Sequence, residues 1–221
     1  MRIEPLVLEN RWVRLEPFTP ELKEAVRAAL NVDEAAWAIM ASTAWGEHFD
    51  PWWDGAVERL EAGRDTPYAV RRLEDGRIVG TSSLLDLFPR HRRVELGSTF
   101  YHPEARGGVV NPASKRLLLQ HAFDSGVVRV EIITDAVNAR SQAAIAKLGA
   151  VREGVLRRHK ITHTGRIRDT VMFSVTDQDW PVVRARLDER LATFGQSTAR
   201  QSVGSRPSAV QRAMTPSPRS S

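Results

Sequence analysis

The sequence predicts a mixed α/β domain, with a mostly antiparallel central sheet flanked by helices on both faces. Three observations carry that prediction. A meander of strand patterns broken by turns runs from Tyr68 to Tyr101, a strand–helix alternation follows, and an amphipathic helix comes after the last strand.

Taken in order, Arg11 to Pro17 reads as a strand, with Val13 and Leu15 alternating and Trp12 interrupting the polar side. Thr19-Pro20 opens a helix through about Leu30, because proline at the first position is pre-set for helical φ. A second helix, roughly Trp53 to Ala62, ends at Gly63. Tyr68–Leu73 and Arg77–Leu87 form a hairpin around Glu74-Asp75-Gly76, and Arg93–Tyr101 adds a third antiparallel strand. After His102-Pro103 and a Gly-Gly loop, a helix is expected from about Ala113 to Phe123, with Asn111 as its cap and Pro112 at its first position. A strand at Val127–Thr134, a helix at about Ala139–Leu148 closed by Gly149, and strands at Val155–Ile161 and Arg168–Val175 follow. Trp180, Val183, Leu187, Leu191 and Phe194 then fall on one stripe of a final helix.

The 221-residue length suits one good-sized domain. No apolar run approaches the ~18 residues of a membrane span, and the N-terminus lacks a signal-peptide pattern, so no membrane partner and a cytoplasmic location are expected. With no cysteine, disulfides, zinc ribbons and thiol nucleophiles are excluded. Between Gln196 and Ser221 stand four Arg and no acid. Taking those four from the 32 basic residues leaves 28 against 27 acidic ones. The basicity therefore belongs mostly to a Ser/Pro/Arg-rich stretch, and a nucleic-acid partner is not expected of the domain. The organisation expected is a domain over residues 1–194 and a disordered basic tail over 195–221.

Arg106-Gly107-Gly108-Val109-Val110-Asn111-Pro112 leads from a strand to a helix. Such a turn aims backbone N–H groups and a helix N-terminus at one point, which suits a diphosphate, although two adjacent glycines also serve an ordinary tight connection. The order around it is more specific: Glu95-Leu96-Gly97, His102-Pro103, Arg106-Gly107-Gly108, then Asp135-x-x-Asn138-x-x-Ser141 and Lys147-Leu148-Gly149. This order resembles the acetyl-CoA-binding core of the GNAT acetyltransferases, in particular the RimJ/RimL-type group, over roughly Val13 to Leu187. The resemblance implies the GNAT fold, acetyl-CoA as co-substrate, and a pyrophosphate held by Arg106, Gly107, Gly108, Val109, Val110 and Asn111. It further implies pantetheine along Thr99, Phe100 and Tyr101, with Asn138 and Ser141 as additional contacts. One departure stands out. The family signature Arg/Gln-x-x-Gly-x-Gly/Ala is met by Arg106, but Val109 and Asn111 occupy the small-residue positions. Either a variant loop geometry or a lower CoA affinity would follow.

Acetyl transfer from a thioester to an amine requires a base for the amine proton, donors for the oxyanion and a proton for the thiolate. Without cysteine, direct attack in a ternary complex is the simplest route. Glu95 is the base candidate: alternation puts Glu95, Gly97 and Thr99 on one face, with open space before Gly97. The bland alternative is a surface carboxylate paired with Arg92 or Arg93. Ser141, third in its helix and in line with Ile145 and Leu148, is the candidate acid; it could equally bond within the first helical turn. The six His residues form no ligand-spaced pair, so no metal is expected. Trp37, Trp45, Phe49, Trp52 and Trp53 read mainly as core, with one or two available to wall an acceptor pocket. The expected partner is an amine acceptor, a small molecule or a protein N-terminus, and a homodimer is allowed. A weak acyl-CoA binder and a nucleic-acid-associated protein acting through the Arg tail are the alternatives.

Overall fold

The computed structural model describes the backbone of residues 1–203 and the side chains through Gln196. Eight strands form one sheet: β1 (Leu8–Glu9), β2 (Val13–Pro17), β3 (Thr66–Arg72), β4 (Ile78–Phe88), β5 (Arg93–Tyr101), β6 (Arg129–Asp135), β7 (Val151–Ile161) and β8 (Ile167–Thr176). Their order is β1-β2-β3-β4-β5-β6-β8-β7. Every pairing is antiparallel except β5 with β6, as expected from the strand–helix–strand unit between them.

Six helices cover both faces: α1 (Lys23–Leu30), α2 (Glu34–Trp37), α3 (Phe49–Glu61), α4 (Val110–Asp124), α5 (Ala139–Ala146) and α6 (Trp180–Val203). On one face, Val26 and Leu30 of α1 and Phe49 and Trp53 of α3 close a core in which Phe18 stacks on Trp53 at 4.3 Å. There Trp37 stacks on Phe100 at 4.6 Å, so Trp37 and Trp53 are core residues. On the other face, Leu118, Leu119 and Ala122 of α4 meet Val94 and Leu96 of β5, and Val183 and Leu187 of α6 complete that core. No helix among the described residues is long and apolar enough to cross a membrane.

Three boundaries differ from the sequence reading in ways that bear on the site. Helix α4 starts at Val110 with Val109 as its cap residue, so Asn111 and Pro112 are its second and third residues rather than cap and first. Proline fits there because the N–H groups of a first helical turn have no intrahelical acceptor to lose. Strand β7 starts at Val151, because Val151 pairs with Ser174 and extends the β8 ladder before any alternation is visible in the sequence. Helix α6 runs through Val203, across the boundary expected at Gly195. Residues 204–221, where the rest of the expected tail falls, lie outside the described residues.

Candidate active site

Strands β5 and β6 pair only at Arg93–Arg129, Val94–Val130 and Glu95–Glu131. Beyond Glu95 they are not joined, so the remainder of β5 presents an edge to a gap in the sheet. The cause lies on the other side of β5. Against β4 the register passes from Ser83–Gly97 to Thr81–Phe100, which gives β5 one extra residue, and Ser98 takes a left-handed φ of 45°.

That bulge also reverses the alternation, and one sequence expectation needs correction. Glu95 and Gly97 share a face, but Thr99 does not join them: it turns to the α4 side, where its Oγ1 bonds Ser82 Oγ at 2.9 Å. Phe100 turns to the Trp37 side and Tyr101 back to the α4 core. The candidate pantetheine residues can therefore meet a ligand mainly through their backbone. His102 N–H donates to Val79 O at 2.8 Å, so the Phe100 backbone faces β4 and the Thr99 and Tyr101 backbones face the unpaired edge. Tyr101 O is already taken by Arg106 Nε at 2.7 Å.

The glycine loop opens at the end of this edge. Gly107 has φ 77°, a conformation that suits glycine, and a Cβ built on Gly107 or Gly108 would meet nothing within 4 Å. Among the described residues no acceptor takes the N–H groups of Gly107, Gly108 or Val109, and those of Val110 and Asn111 belong to the free first turn of α4. Val109 is right-handed helical (φ −73°, ψ −24°), a conformation open to a β-branched residue, so its side chain does not withdraw its N–H. Val109 and Val110 direct their side chains into the core and offer only backbone. Open space, unspent donors and a helix N-terminus together fit an anionic diphosphate. Arg106 plays a different part from its neighbours. Its guanidinium pairs with Asp33 at the start of α2 and lies over the Phe100 ring at 5.1 Å, binding the loop to the helical cap.

Glu95 stands half-buried at the point where β5 and β6 part, its carboxylate leaning over Gly97. The bland pairing does not form. Arg93 Nη1 instead bonds Glu131 at 2.8 Å and Arg92 Nε bonds Gly126 O at 2.7 Å, leaving Glu95 with no ion pair among the described residues. Burial raises its pKa above the ordinary carboxylate value, while the charges of Lys160 and Arg168 pull it down. A half-buried, unpaired carboxyl so tuned is suited to accepting a proton nearer neutral pH. Ser141 is indeed the third residue of α5, over the buried Ile145 and Leu148. Its N–H donates to Asn138 Oδ1 at 3.0 Å, which makes Asn138 the helix cap and leaves no protein partner on the Ser141 hydroxyl among the described residues.

Three residues that the sequence reading passed over complete the surroundings. Lys115 on α4 is 5% exposed, and its Nζ donates to Ser82 Oγ at 2.9 Å and Thr99 Oγ1 at 2.6 Å, clamping the bulge from below. Burial without a carboxylate partner lowers its pKa to about 7. Its signal was available, since residues 115, 118, 119 and 122 share one helical stripe and only Lys115 is charged. Arg168 of β8 is likewise buried, on the Glu95 side of the sheet, opposite Lys160 of β7. His163, at the β7–β8 turn, donates its backbone N–H to Ala41 O and holds Trp37 O with its ring Nε2, both at 2.9 Å, closing that hairpin onto the helical cap. Among the described residues no group of His, Asp and Glu is placed to hold a metal ion.

With this geometry in view, residues 13–151 match the family described as the acetyltransferase (GNAT) domain. A GCN5-related N-acetyltransferase from Brucella melitensis is similar in structure, with 28% identity, a TM-score of 0.78, and coverage of 86% of this chain and 87% of that one. RimJ from Mycobacterium smegmatis, solved in complex with CoA-disulfide, shares the fold at 21% identity and a TM-score of 0.74, covering 86% and 97% of the two chains. The N-acetyltransferase YoaA of Bacillus subtilis, itself uncharacterized, is 24% identical over 112 residues, which are 51% of this chain. That match spans 63% of the length of YoaA.

Proposed function

The chain belongs to the GNAT acetyltransferase domain family, and from that membership we propose that it moves an acetyl group from acetyl-CoA to a primary amine, on a small molecule or a protein N-terminus. The observation that carries the reading is the unpaired Glu95 at the parting of β5 and β6, in line with the open glycine loop at the head of α4. In this reading the N–H groups of Gly107, Gly108, Val109, Val110 and Asn111 receive the pyrophosphate, and the Thr99 and Tyr101 backbone edge receives the pantetheine arm. The RimJ structure with CoA-disulfide supports a CoA ligand on this fold, and with it a place near the RimJ/RimL-type enzymes.

The chemistry follows as direct attack. The amine nitrogen bonds to the thioester carbonyl carbon, its proton passes to Glu95, directly or through one water, and the C–S bond then breaks. The departing thiolate takes a proton from the Ser141 hydroxyl, which regains one from solvent. The test is thiol release from acetyl-CoA across a panel of amines, beside calorimetric titration with CoA. Amine-dependent release together with CoA binding supports the proposal. CoA binding without release on any amine supports the weak-binder alternative, and no CoA binding removes both.

A further inference from the structure

Arg168 is a buried cation whose donors are largely unspent. Its side chain is 7% exposed, yet its one hydrogen bond among the described residues runs from Nε to Thr170 Oγ1 at 3.1 Å. Asp135 Oδ2 forms a loose ion pair with Nε at 3.8 Å, beyond hydrogen-bond range, and Asp135 is shared with Arg166 and the N–H of Val137. No described residue accepts from the two Nη groups. The sealed, partnerless side-chain atoms are the hydroxyls of Tyr68 and Tyr101, so the Nη groups of Arg168 keep contact with solvent. A guanidinium held out of bulk water with its fork unfilled is costly to maintain, and a planar anion arriving in two-point contact would relieve that cost.

Its surroundings indicate what such an anion belongs to. Thr170, Met172 and Ser174 alternate with the core residues Val171, Phe173 and Val175, so Arg168 lies on the Glu95 face of the sheet. Lys160 pairs opposite it in register and has no carboxylate partner among the described residues. Both cations act on the Glu95 carboxyl and neither comes within ion-pair distance of it; Asp86 and Glu131 also act on Glu95, and Asp135 on Arg168, so two cations without a hydrogen-bonded carboxylate share one face of the sheet with the candidate base. A molecule with an ammonium at one end and a carboxylate at the other is complementary in charge to that arrangement, its ammonium toward Glu95 and its carboxylate toward the two cations.

Resting on the acetyltransferase reading above, we propose that Arg168, with Lys160 beside it, receives a carboxylate of the acceptor, so that the acceptor is a small amine of the amino-acid type whose carboxylate lies a few bonds from the nitrogen to be acetylated. A protein N-terminus has its carboxyl carbon tied in a peptide bond and does not meet this requirement.

The test compares matched acceptors that differ only in that charge, for example phenylalanine with phenylalaninamide and methionine with methioninamide, by acetyl-CoA-dependent thiol release. Wild type is expected to favour acids over amides by at least ~10-fold in kcat/KM, the scale of a lost charge-assisted contact. Arg168→Gln should lower kcat/KM for the acids at least ~10-fold more than for the amides, with Arg168→Lys in between. Equal rates for acid and amide in wild type would overturn the inference, as would a preference that survives Arg168→Gln. If Arg168→Gln does not fold, the wild-type comparison decides alone. Should no amine be acetylated, the acetyltransferase reading fails separately. The carboxylate site is then judged by calorimetric titration of the same acids and amides into CoA-saturated protein. Selective binding of the acids supports it, and no selectivity overturns it.

Discussion

Replacing Lys115 with methionine should make the protein more stable at neutral and mildly acidic pH and less stable well above it. Lys115 is buried among apolar residues of α4 and meets two hydroxyls but no carboxylate, and burial carries its pKa from 10.5 down to about 7. The native pKa lies below the unfolded one, so between pH 7 and 10.5 the unfolded chain binds more protons and wild-type stability rises with pH. Below pH 7 the native state bears the full cost of a buried ammonium, roughly 4–5 kcal/mol at ~1.4 kcal/mol per pH unit. Methionine, similar in length and unbranched, removes that cost and gives up two hydrogen bonds of about 1 kcal/mol each. Ser82 and Thr99 remain satisfied by their own 2.9 Å bond. The net expectation is a gain of roughly 2–3 kcal/mol at pH 6.5 and a change of sign near pH 9. Urea unfolding of both proteins from pH 6 to 10 measures the difference, in which the titration of all other groups cancels. A difference flat across pH 7–10, or a methionine variant less stable than wild type at pH 6.5, would refute the reasoning.

Three further outcomes follow from the geometry. Gly107→Ala should cost ~1–2 kcal/mol in thermal or urea unfolding because its φ is 77°, whereas Gly108→Ala should be nearly neutral; Gly108→Val should nevertheless weaken CoA binding by calorimetry, since its side chain would fill the space before the loop. Asn138→Ala should cost ~1 kcal/mol through the lost helix cap, while Ser141→Ala, whose hydroxyl has no protein partner, should leave unfolding unchanged within ~0.5 kcal/mol and slow turnover in a thiol-release assay less than a change at Glu95 does. Glu95→Gln should lower kcat at least ~10-fold and remove the ascending limb of the kcat/KM profile, a limb placed above the ordinary carboxylate range by burial. Because the native pKa of Glu95 is raised, its ionisation destabilises the fold above that pKa; Glu95→Gln should therefore melt higher at neutral pH, with the advantage fading as pH falls through the raised native pKa and gone below 4.5.

What could be read from the sequence was whatever local pattern dictates. The limits of β5 came out at Arg93 and Tyr101 because alternation, the following His-Pro and a turn all agree there. Asn138, a polar residue just ahead of an apolar stripe, carries the local signal of the cap it proves to be, and the glycine loop is marked by its place between strand and helix. Two features escaped for a common reason: they are settled by partners distant in the chain. The resemblance implies a phosphate ligand at Arg106, but its guanidinium is held by Asp33, 73 positions away, which no spacing rule reports. Arg168 opens the last expected strand, and no neighbouring residue marks it as buried. Its burial comes only from the way β8 lies between β6 and β7.

The bulge at Ser98 ties these gaps together. Strict alternation would put Thr99 beside Glu95 and turn Ser98 instead toward Lys115 of α4. The one-residue insertion rotates Thr99 to the opposite face, where it receives Lys115, while the expected open space before Gly97 is taken by the Glu95 carboxylate itself, with Leu85 beside it. The same insertion bends β5 away from β6 just beyond the Glu95–Glu131 pair, so the unpaired edge begins where the candidate base sits. A single irregularity of backbone thus sets the base, the free edge and the buried clamp in their relative places. Lys115 supports that irregularity at a cost to stability, as expected when a fold retains a buried charge for the geometry it imposes. The methionine variant separates the two effects: if it gains stability near neutral pH while losing affinity for CoA, the lysine serves the shape of the cleft and not the strength of the core.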